Sequence, residues 1–217
     1  MKTLFPLVTT DIALFTVKDL RLRVLLVKRR NDPSHGFWAL PGGILRPDQD
    51  YSLEDSAQRV LTRKTKVNIP YLAQVATVSG PNRDPRGWSI STLYYALLPC
   101  NQAAAVAGDT IEAIQWCDPE IPQHQLAFDH PRLLEMALSA LRQKVERGAL
   151  PLHLLPAKFT LTDVQHACEA IMGRRLDKAA FRRQIKDEPA LQLVPGEFLR
   201  GPQRPAQFYQ AAPAFQF

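Results

Sequence analysis

Cysteine is scarce in this chain. Cys100, Cys117 and Cys168 are the only three in 217 residues, and they are odd in number, widely spaced and outside any CxxC pattern. Neither a disulfide framework nor a zinc knuckle is expected, and a reducing, cytoplasmic setting is. Long apolar runs are missing as well: none nears the roughly 20 residues of a spanning helix, so no membrane association is expected. The first residues, MKTLFPLVTTDIALF, are interrupted by Pro6, Thr9, Thr10 and Asp11, which makes a poor signal peptide and a better strand. There is no Gly-x-Ser-x-Gly elbow and no P-loop. The histidines (His35, His124, His130, His153 and His166) lack His-x-x-x-His or glutamate-paired spacing. Serine-nucleophile, P-loop and zinc-hydrolase chemistry all lose their usual carriers.

What is present is ordinary globular content, 46% hydrophobic and 22% charged, with a net charge of +6. General disorder is excluded by that balance. The positive excess is concentrated. Between Arg174 and Lys186 stand six cations (Arg174, Arg175, Lys178, Arg182, Arg183 and Lys186) against the single anion Asp177. A local excess of this density points to a polyanionic partner.

Residues 7–17 and 21–29 read as a β-hairpin, with Ile12 and Leu14, then Leu22, Val24 and Leu26, at period two. The segment SHGFWALPGG is broken by Pro41 and its glycines. A helix is predicted from Ser52 to Lys66, with Glu54 and Asp55 in its first turn and Arg63, Lys64 and Lys66 in its last. Strands follow at about 71–79, 89–98 and 112–117. A second helix starts at Asp129, with Pro131 in its first turn and Leu134, Ala137, Leu138, Leu141 and Val145 on one stripe, and stops near Gly148. This mixed α/β domain is expected to occupy residues 1–148. The rest, 149–217, has another character. Thr162 and Gln165 form a capping-box pattern before a helix with Val164, Ala167, Cys168 and Ile171 inside. Gly173 can close that helix, and Asp177 can cap another with Ala180, Phe181 and Ile185 inward. Helix, short turn, helix is the helix-turn-helix unit. Leu191–Val194, a Pro195-Gly196 turn and Glu197–Leu199 read as a small hairpin wing.

Phe37-Trp38-Ala39-Leu40-Pro41-Gly42-Gly43, an acidic loop and a helix resemble the Nudix hydrolase family, over roughly residues 5–147. In that family helical glutamates hold Mg²⁺ against a diphosphate. Here Gln49 stands six residues after Gly43, where the family has glutamate. Arg59, the candidate box arginine, follows Gly43 by 16 residues rather than the family's 14, so two residues are inserted. Counting from Arg59, the expected glutamates fall on Val60, Arg63 and Lys64, and the box glycine on Lys66. At about 4 Å and an effective dielectric near 20, each unit of like charge costs on the order of 4 kcal/mol, twice that for a divalent ion. No metal, no cofactor and no catalytic residue are therefore assigned.

A fold that has lost its metal can still hold a nucleotide. The turn NRDPRG and the following Trp-Ser-Ile-Ser are similar to the segment by which ADP-ribose-type Nudix proteins contact their ligand. The resemblance implies a ligand site of Arg30, Trp38, Gly42, Gly43, Asn82, Arg83, Asp84, Arg86 and Ser91, in which Arg83 and Arg86 meet the diphosphate. The same residues would also suit an ordinary hairpin turn. Arg83→Ala is expected to leave DNA affinity intact and to blunt the ligand response.

A Nudix-like domain followed by LLPAKFTLTDVQ and LDKAAFRRQI, with Phe128-Asp129-His130 at the entry to the connecting helix and Arg204-Pro205-Ala206 near Tyr209, resembles a narrower group. These are the Nudix-related transcriptional regulators of NAD metabolism (NrtR-like). The implied architecture is α+β: a Nudix-like α/β/α sandwich with a mixed sheet, then a winged helix-turn-helix. The implied function is a repressor, acting as a homodimer on a palindromic double-stranded DNA operator and relieved by ADP-ribose. Lys178, Arg182 and Lys186, four apart, form a stripe suited to the major groove, with Arg183 beside it and Arg174 and Arg175 before it. Lys158, Thr160 and Thr162 are candidate backbone contacts, and Arg200 a wing contact. Two alternatives stay open. One is a Mg²⁺-dependent ADP-ribose pyrophosphatase with acids from outside the box, such as Glu112 or Glu120. The other is the same regulator sensing a sugar phosphate or another nucleotide sugar.

Overall fold

In the computed structural model, which describes residues 5–199, 205–213, 215 and 217, the first hairpin is β1 (Leu7–Lys18) and β2 (Arg21–Arg29). Asp19 and Leu20 in its turn both take positive φ, 50° and 59°. Two such residues in succession match the twist of paired strands. The period-two positions read from the sequence lie on opposite faces of the sheet. Ile12 and Leu14 share a face with Leu25, whereas Leu22, Val24 and Leu26 lie with Ala13 and Phe15. Phe15 pairs with Val24 across the hairpin, so odd β1 positions accompany even β2 positions. A strand covered on both sides hides its alternation.

The sheet has seven strands, adding β3 (Trp38–Ala39), β4 (Gly42–Ile44), β5 (Tyr71–Gly80), β6 (Ser89–Leu97) and β7 (Ile111–Cys117). Its order is β3-β2-β1-β6-β5, with β4 also on β1 and β7 also on β2. Only β1 and β6 run parallel, so the sheet is mixed. Helix α1 (Leu53–Thr65) covers one face through Ala57, Val60 and Leu61. Its N-terminus is capped by Ser52 Oγ, which accepts from the Asp55 N–H at 3.0 Å. Helix α2 (His130–Glu146) covers the other face through Leu133, Leu134, Ala137, Leu138 and Leu141.

A short 3-10 turn, Leu152–Leu154, leads to α3 (Leu161–Met172), α4 (Lys178–Gln184), β8 (Leu191–Leu199) and β9 (Ala206–Ala211). Three local expectations are corrected. The capping box sits two residues earlier than Thr162: Thr160 N donates to Asp163 Oδ2 at 2.7 Å, and Asp163 N donates to Thr160 Oγ1 at 3.3 Å. Thr162 is already helical, and Gln165 turns inward to Glu169 and the Leu176 carbonyl. Pro195-Gly196 is not a hairpin turn. Residues 191–199 form one strand paired with β9, and the Pro-Gly pair lies at a register shift between Leu193 and Phe198. Proline offers the ladder no N–H and glycine tolerates φ 74°, so a bulge forms there. Ala180 is exposed, while Phe181 and Ile185 are buried as expected. Arg200 and Arg204 lie outside the described residues.

The apolar core does not stop between the halves. One cluster joins Leu134, Leu138 and Leu141 of α2 to Phe159, Val164, Cys168 and Ile171 around α3, then to Phe181 and Ile185. Arg142 of α2 adds a polar tie, its Nε donating to the Ile171 carbonyl at 2.8 Å. Because Thr160 is buried and makes both halves of its capping box, Thr160→Ala should cost about 1 kcal/mol of stability, measurable as a lower denaturant midpoint.

Candidate functional site

A cavity of about 440 Å³ opens where β1, β4, α1 and the β5–β6 turn meet. Its narrow floor explains the Gly-Gly pair. Gly42 lies opposite Asp11 in the β1–β4 ladder. A Cβ on Gly42 would stand 2.0 Å from Asp11 Oδ1, and one on Gly43 2.7 Å from Val60 Cγ2. Only glycine lets β4 fit between β1 and α1. The loop before α1 is held by Arg59, which grips Asp50 through Nε and Nη2 at 2.5 and 2.6 Å and reaches the Ile44 carbonyl at 3.0 Å. The Arg59 guanidinium holds the buried Asp50 carboxyl well below the ordinary carboxylate range. Asp50 adjoins Gln49, and the altered loop spacing kept the sequence reading from finding this partner.

Val60, Arg63 and Lys64 of α1 line the cavity, spaced so that they share one helix face. They stand where the Nudix pattern has glutamates. Mg²⁺ takes hard oxygen donors in near-octahedral array, and a packed isopropyl group and two cations do not supply them. Two of the four wall carboxylates are already committed: Asp11 accepts from Ser91 Oγ at 2.6 Å, and Asp84 pairs with Arg86 at 2.6 Å, which leaves only Asp32 and Asp109 at the cavity's edge. Glu54 accepts from Tyr94 Oη at 3.0 Å. Glu112 pairs with Lys28 at 2.7 Å and Glu120 with Arg142 at 2.6 Å, neither on the cavity wall. Among the described residues no group of three or more His, Cys, Asp or Glu could hold a metal ion. The donor set does not fit Mg²⁺.

The cavity is instead cationic. Arg29, Arg46, Arg59, Arg63, Lys64, Arg83 and Arg86 line it, against Asp11, Asp32, Asp84 and Asp109. Burial, reinforced by Arg29, pulls the half-buried Lys64 down to about 8. Burial also lowers the pKa of Arg29, with Arg86 adding to the effect.

Arg83 is placed differently from the expectation. Its side chain is only 9% exposed and bridges two carboxylates: Nε and Nη2 reach Asp129 at 3.1 Å each, and Nη2 faces Asp11 at 3.4 Å. Asp129 thus spends its carboxylate on Arg83, and α2 has no side-chain cap. The next residue, the buried His130, accepts the Leu40 N–H on Nδ1 at 2.9 Å. The neutral ring then carries its proton on Nε2, which faces Asp11 Oδ1 at 3.5 Å. Burial keeps this histidine's pKa low. A polar network therefore runs from the cavity floor through Asp11 and Arg83 to the first turn of α2.

Of the expected ligand residues, Gly42, Gly43, Arg83, Asp84 and Arg86 line the cavity. Ser91 supports Asp11 from behind. Asn82 lines a neighbouring depression with Arg83 and Asp129. The exposed Arg30 donates to the Asp109 carbonyl at 2.9 Å. Trp38 stacks on His124 with ring centroids 4.3 Å apart, away from the cavity wall. Arg29, Arg46, Arg63, Lys64, Phe128 and His130 were not expected there. For Arg63 and Lys64 the signal was present, since they were recognised only as absent glutamates.

On the winged helix, Phe181 and Ile185 anchor α4 while Arg174, Lys178, Arg183 and Lys186 are exposed. None of those four makes a salt bridge among the described residues. The stripe of cations is not uniform. Arg182 folds back, Nη2 donating to Thr162 Oγ1 at 3.1 Å, and its Nε is buried without a partner. Arg175 pairs with Glu169 at 3.2 Å, and Lys158 with Glu197 of β8 at 2.6 Å. Thr160 is consumed by its capping box. These contacts leave Arg174, Lys178, Arg183 and Lys186 as the outward positive face.

Comparison with known proteins agrees with both halves. The NUDIX domain family matches residues 8–137, and the NrtR DNA-binding winged helix domain family matches residues 151–211. The ADPR responsive transcriptional repressor NtrR of Acinetobacter baylyi is 40% identical over 208 residues, 95% of this chain and 82% of that protein. The crystal structure of Shewanella oneidensis NrtR complexed with a 27mer DNA is similar with a TM-score of 0.83 at 37% identity, covering 95% of this chain and 94% of that one. The Nudix domain of the same Shewanella protein, complexed with ADP ribose, gives a TM-score of 0.60 at 41% identity, over 64% of this chain and 90% of that one. With a degenerate Nudix domain and an NrtR winged helix in one chain, and such a relative matched along nearly its whole length, this chain belongs to the NrtR family of Nudix-related transcriptional regulators.

Proposed function

We propose that the chain is a metabolite-responsive transcriptional repressor in the cytoplasm, not a Nudix hydrolase. ADP-ribose, or a related diphosphate nucleotide, occupies the cationic cavity and weakens the hold of the winged helix on operator DNA. The observation that carries this reading is the wall of α1, where Val60, Arg63 and Lys64 replace the metal-binding acids in a chain that continues into a DNA-binding domain. The relatives support it: one is an ADP-ribose responsive repressor, and another has been crystallised with DNA, and its Nudix domain alone with ADP ribose. The chain works as a homodimer, because a palindromic operator presents half-sites about one helical turn apart and needs two recognition helices. The effector acts through α2. A ligand that draws on Asp11 or Arg83 disturbs Asp129 and His130 at the start of α2, whose far end is tied to Ile171 of α3. Differential affinity for two arrangements of this link is what release requires.

The test is fluorescence anisotropy with DNA from upstream of the chain's own gene and its neighbours, in EDTA, at two salt concentrations. Saturable, sequence-dependent binding that ADP-ribose weakens is the expected result. Binding that is weak, sequence-blind and steeply salt-dependent across candidate promoters would reject the regulator. AMP release from ADP-ribose with Mg²⁺ would instead establish hydrolysis.

A further inference from the structure

We propose that Lys64, with Arg63 and Arg29, forms a metal-independent diphosphate site in which fixed side-chain cations do the charge neutralisation that Mg²⁺ does in a Nudix enzyme. This rests on the effector reading above and deepens it. The conclusion comes from which cations remain uncommitted. Arg59 is bound to Asp50, Arg83 to Asp11 and Asp129, and Arg86 to Asp84. Among the described residues, Lys64 and Arg63 on α1, Arg29 on β2 and the exposed Arg46 in the loop before α1 line the same cavity without a salt bridge; Lys64 and Arg29 are the ones that burial desolvates. Arg29 Nε donates only to the Pro33 carbonyl at 2.9 Å, and its guanidinium lies 4.8 Å from the Phe128 ring centroid. Positive charges that face one another in a half-enclosed space repel, and an anion placed among them removes that cost. A diphosphate brings two negative charges and several acceptor oxygens, matching an ammonium and two guanidinium groups. Gly42 and Gly43 leave the floor free of side chains.

The charged groups facing Lys64 from the packed elements are Arg29 of β2, Arg86 of the β5–β6 turn and Asp11 of β1. Burial and the two arginines hold Lys64 near 8, so a fraction of the free protein is deprotonated there above neutral pH. A bound diphosphate raises that pKa again. Binding at pH 8 to 9 must therefore take up protons, and affinity must fall as pH rises through 8.

The experiment is isothermal titration of the full chain with ADP-ribose and, separately, inorganic pyrophosphate. Titrations run in EDTA and in Mg²⁺, at pH 8.5, in two buffers of different ionisation enthalpy. The wild type should bind both probes in EDTA, with net proton uptake for ADP-ribose, whose diphosphate diester has no proton to lose at this pH. Lys64→Gln should weaken binding on the order of 10- to 100-fold and abolish most of the uptake. Its thermal midpoint should not fall, since a desolvated charge is removed. Arg63→Gln, an exposed position, gives a second variant with smaller loss. The proposal is overturned if the wild type binds neither probe without Mg²⁺, or if Lys64→Gln changes neither affinity. Failure of the effector reading looks different: pyrophosphate then binds in a Lys64-dependent way while ADP-ribose does not.

Discussion

Arg83→Ala is expected to lose about 3 kcal/mol of folding stability, far more than the removal of an exposed ligand arm would cost. The side chains of Arg83, Asp11 and Asp129 are 9%, 8% and 18% exposed. Deleting the guanidinium leaves Asp11 with Ser91 and His130, and Asp129 without its partner. A buried charge stripped of its counter-ion is among the few single changes that cost so much. The low end of the 3–5 kcal/mol range seen for broken buried pairs applies, because both carboxylates retain some water or hydrogen bonding. Urea unfolding of wild type and variant measures it, and a difference below about 1 kcal/mol would show that the bridge contributes little. Arg83→Lys should fall between, since an ammonium supplies charge without the planar fork that reaches two acids. The sequence alone suggested that Arg83→Ala would spare DNA affinity. The buried bridge revises this: the folded population shrinks, and DNA binding per folded molecule becomes the quantity to compare.

Lys178→Glu combined with Arg183→Glu should abolish operator binding at physiological salt. Both side chains are exposed, and neither is paired with an acid among the described residues. If each cation meets one phosphate in each half-site, the proposed dimer loses four contacts. The slope of log affinity against log salt then falls by about 3 to 4. The loss at 150 mM salt is on the order of a thousandfold or more, allowing for the new repulsion. Folding should survive, because Lys178 is the first residue of α4 and an acid there suits the helix dipole. ADP-ribose binding should be unchanged, which separates the two ends of the molecule. Operator affinity within tenfold of wild type would place the DNA surface elsewhere.

Much of the fold was legible because local physics agrees with tertiary placement. The acids and bases at the two ends of α1, Ser52 before it, Gly173 after α3 and Asp177 before α4 all act as their residue types suggest. Misreadings came where two local solutions compete. Thr160-x-x-Asp and Thr162-x-x-Gln are both capping patterns, and the choice fell to Thr160 because its segment is pinned by the Phe159–Tyr209 backbone pair, at 2.9 and 2.7 Å. Pro195-Gly196 is a common turn pair, but pairing with β9 across 206–211 makes it a bulge.

The site divides in the same way. Sequence by itself determined that the metal acids are gone and that positive charge gathers before and along the second helix of a helix-turn-helix. Those facts belong to residue type and spacing, which no packing alters. Only the tertiary structure decided which cations are free. Arg83 and Arg182 both read as outward charges; Arg83 is spent on Asp129 and Arg182 is turned back onto the Thr162 hydroxyl, while Arg29, Arg63 and Lys64 converge on one cavity. A cation's role depends on the nearest acid in space. The partner of Arg83 lies 46 residues away and the helix carrying Lys64 packs against β4, relations that only the folded chain creates.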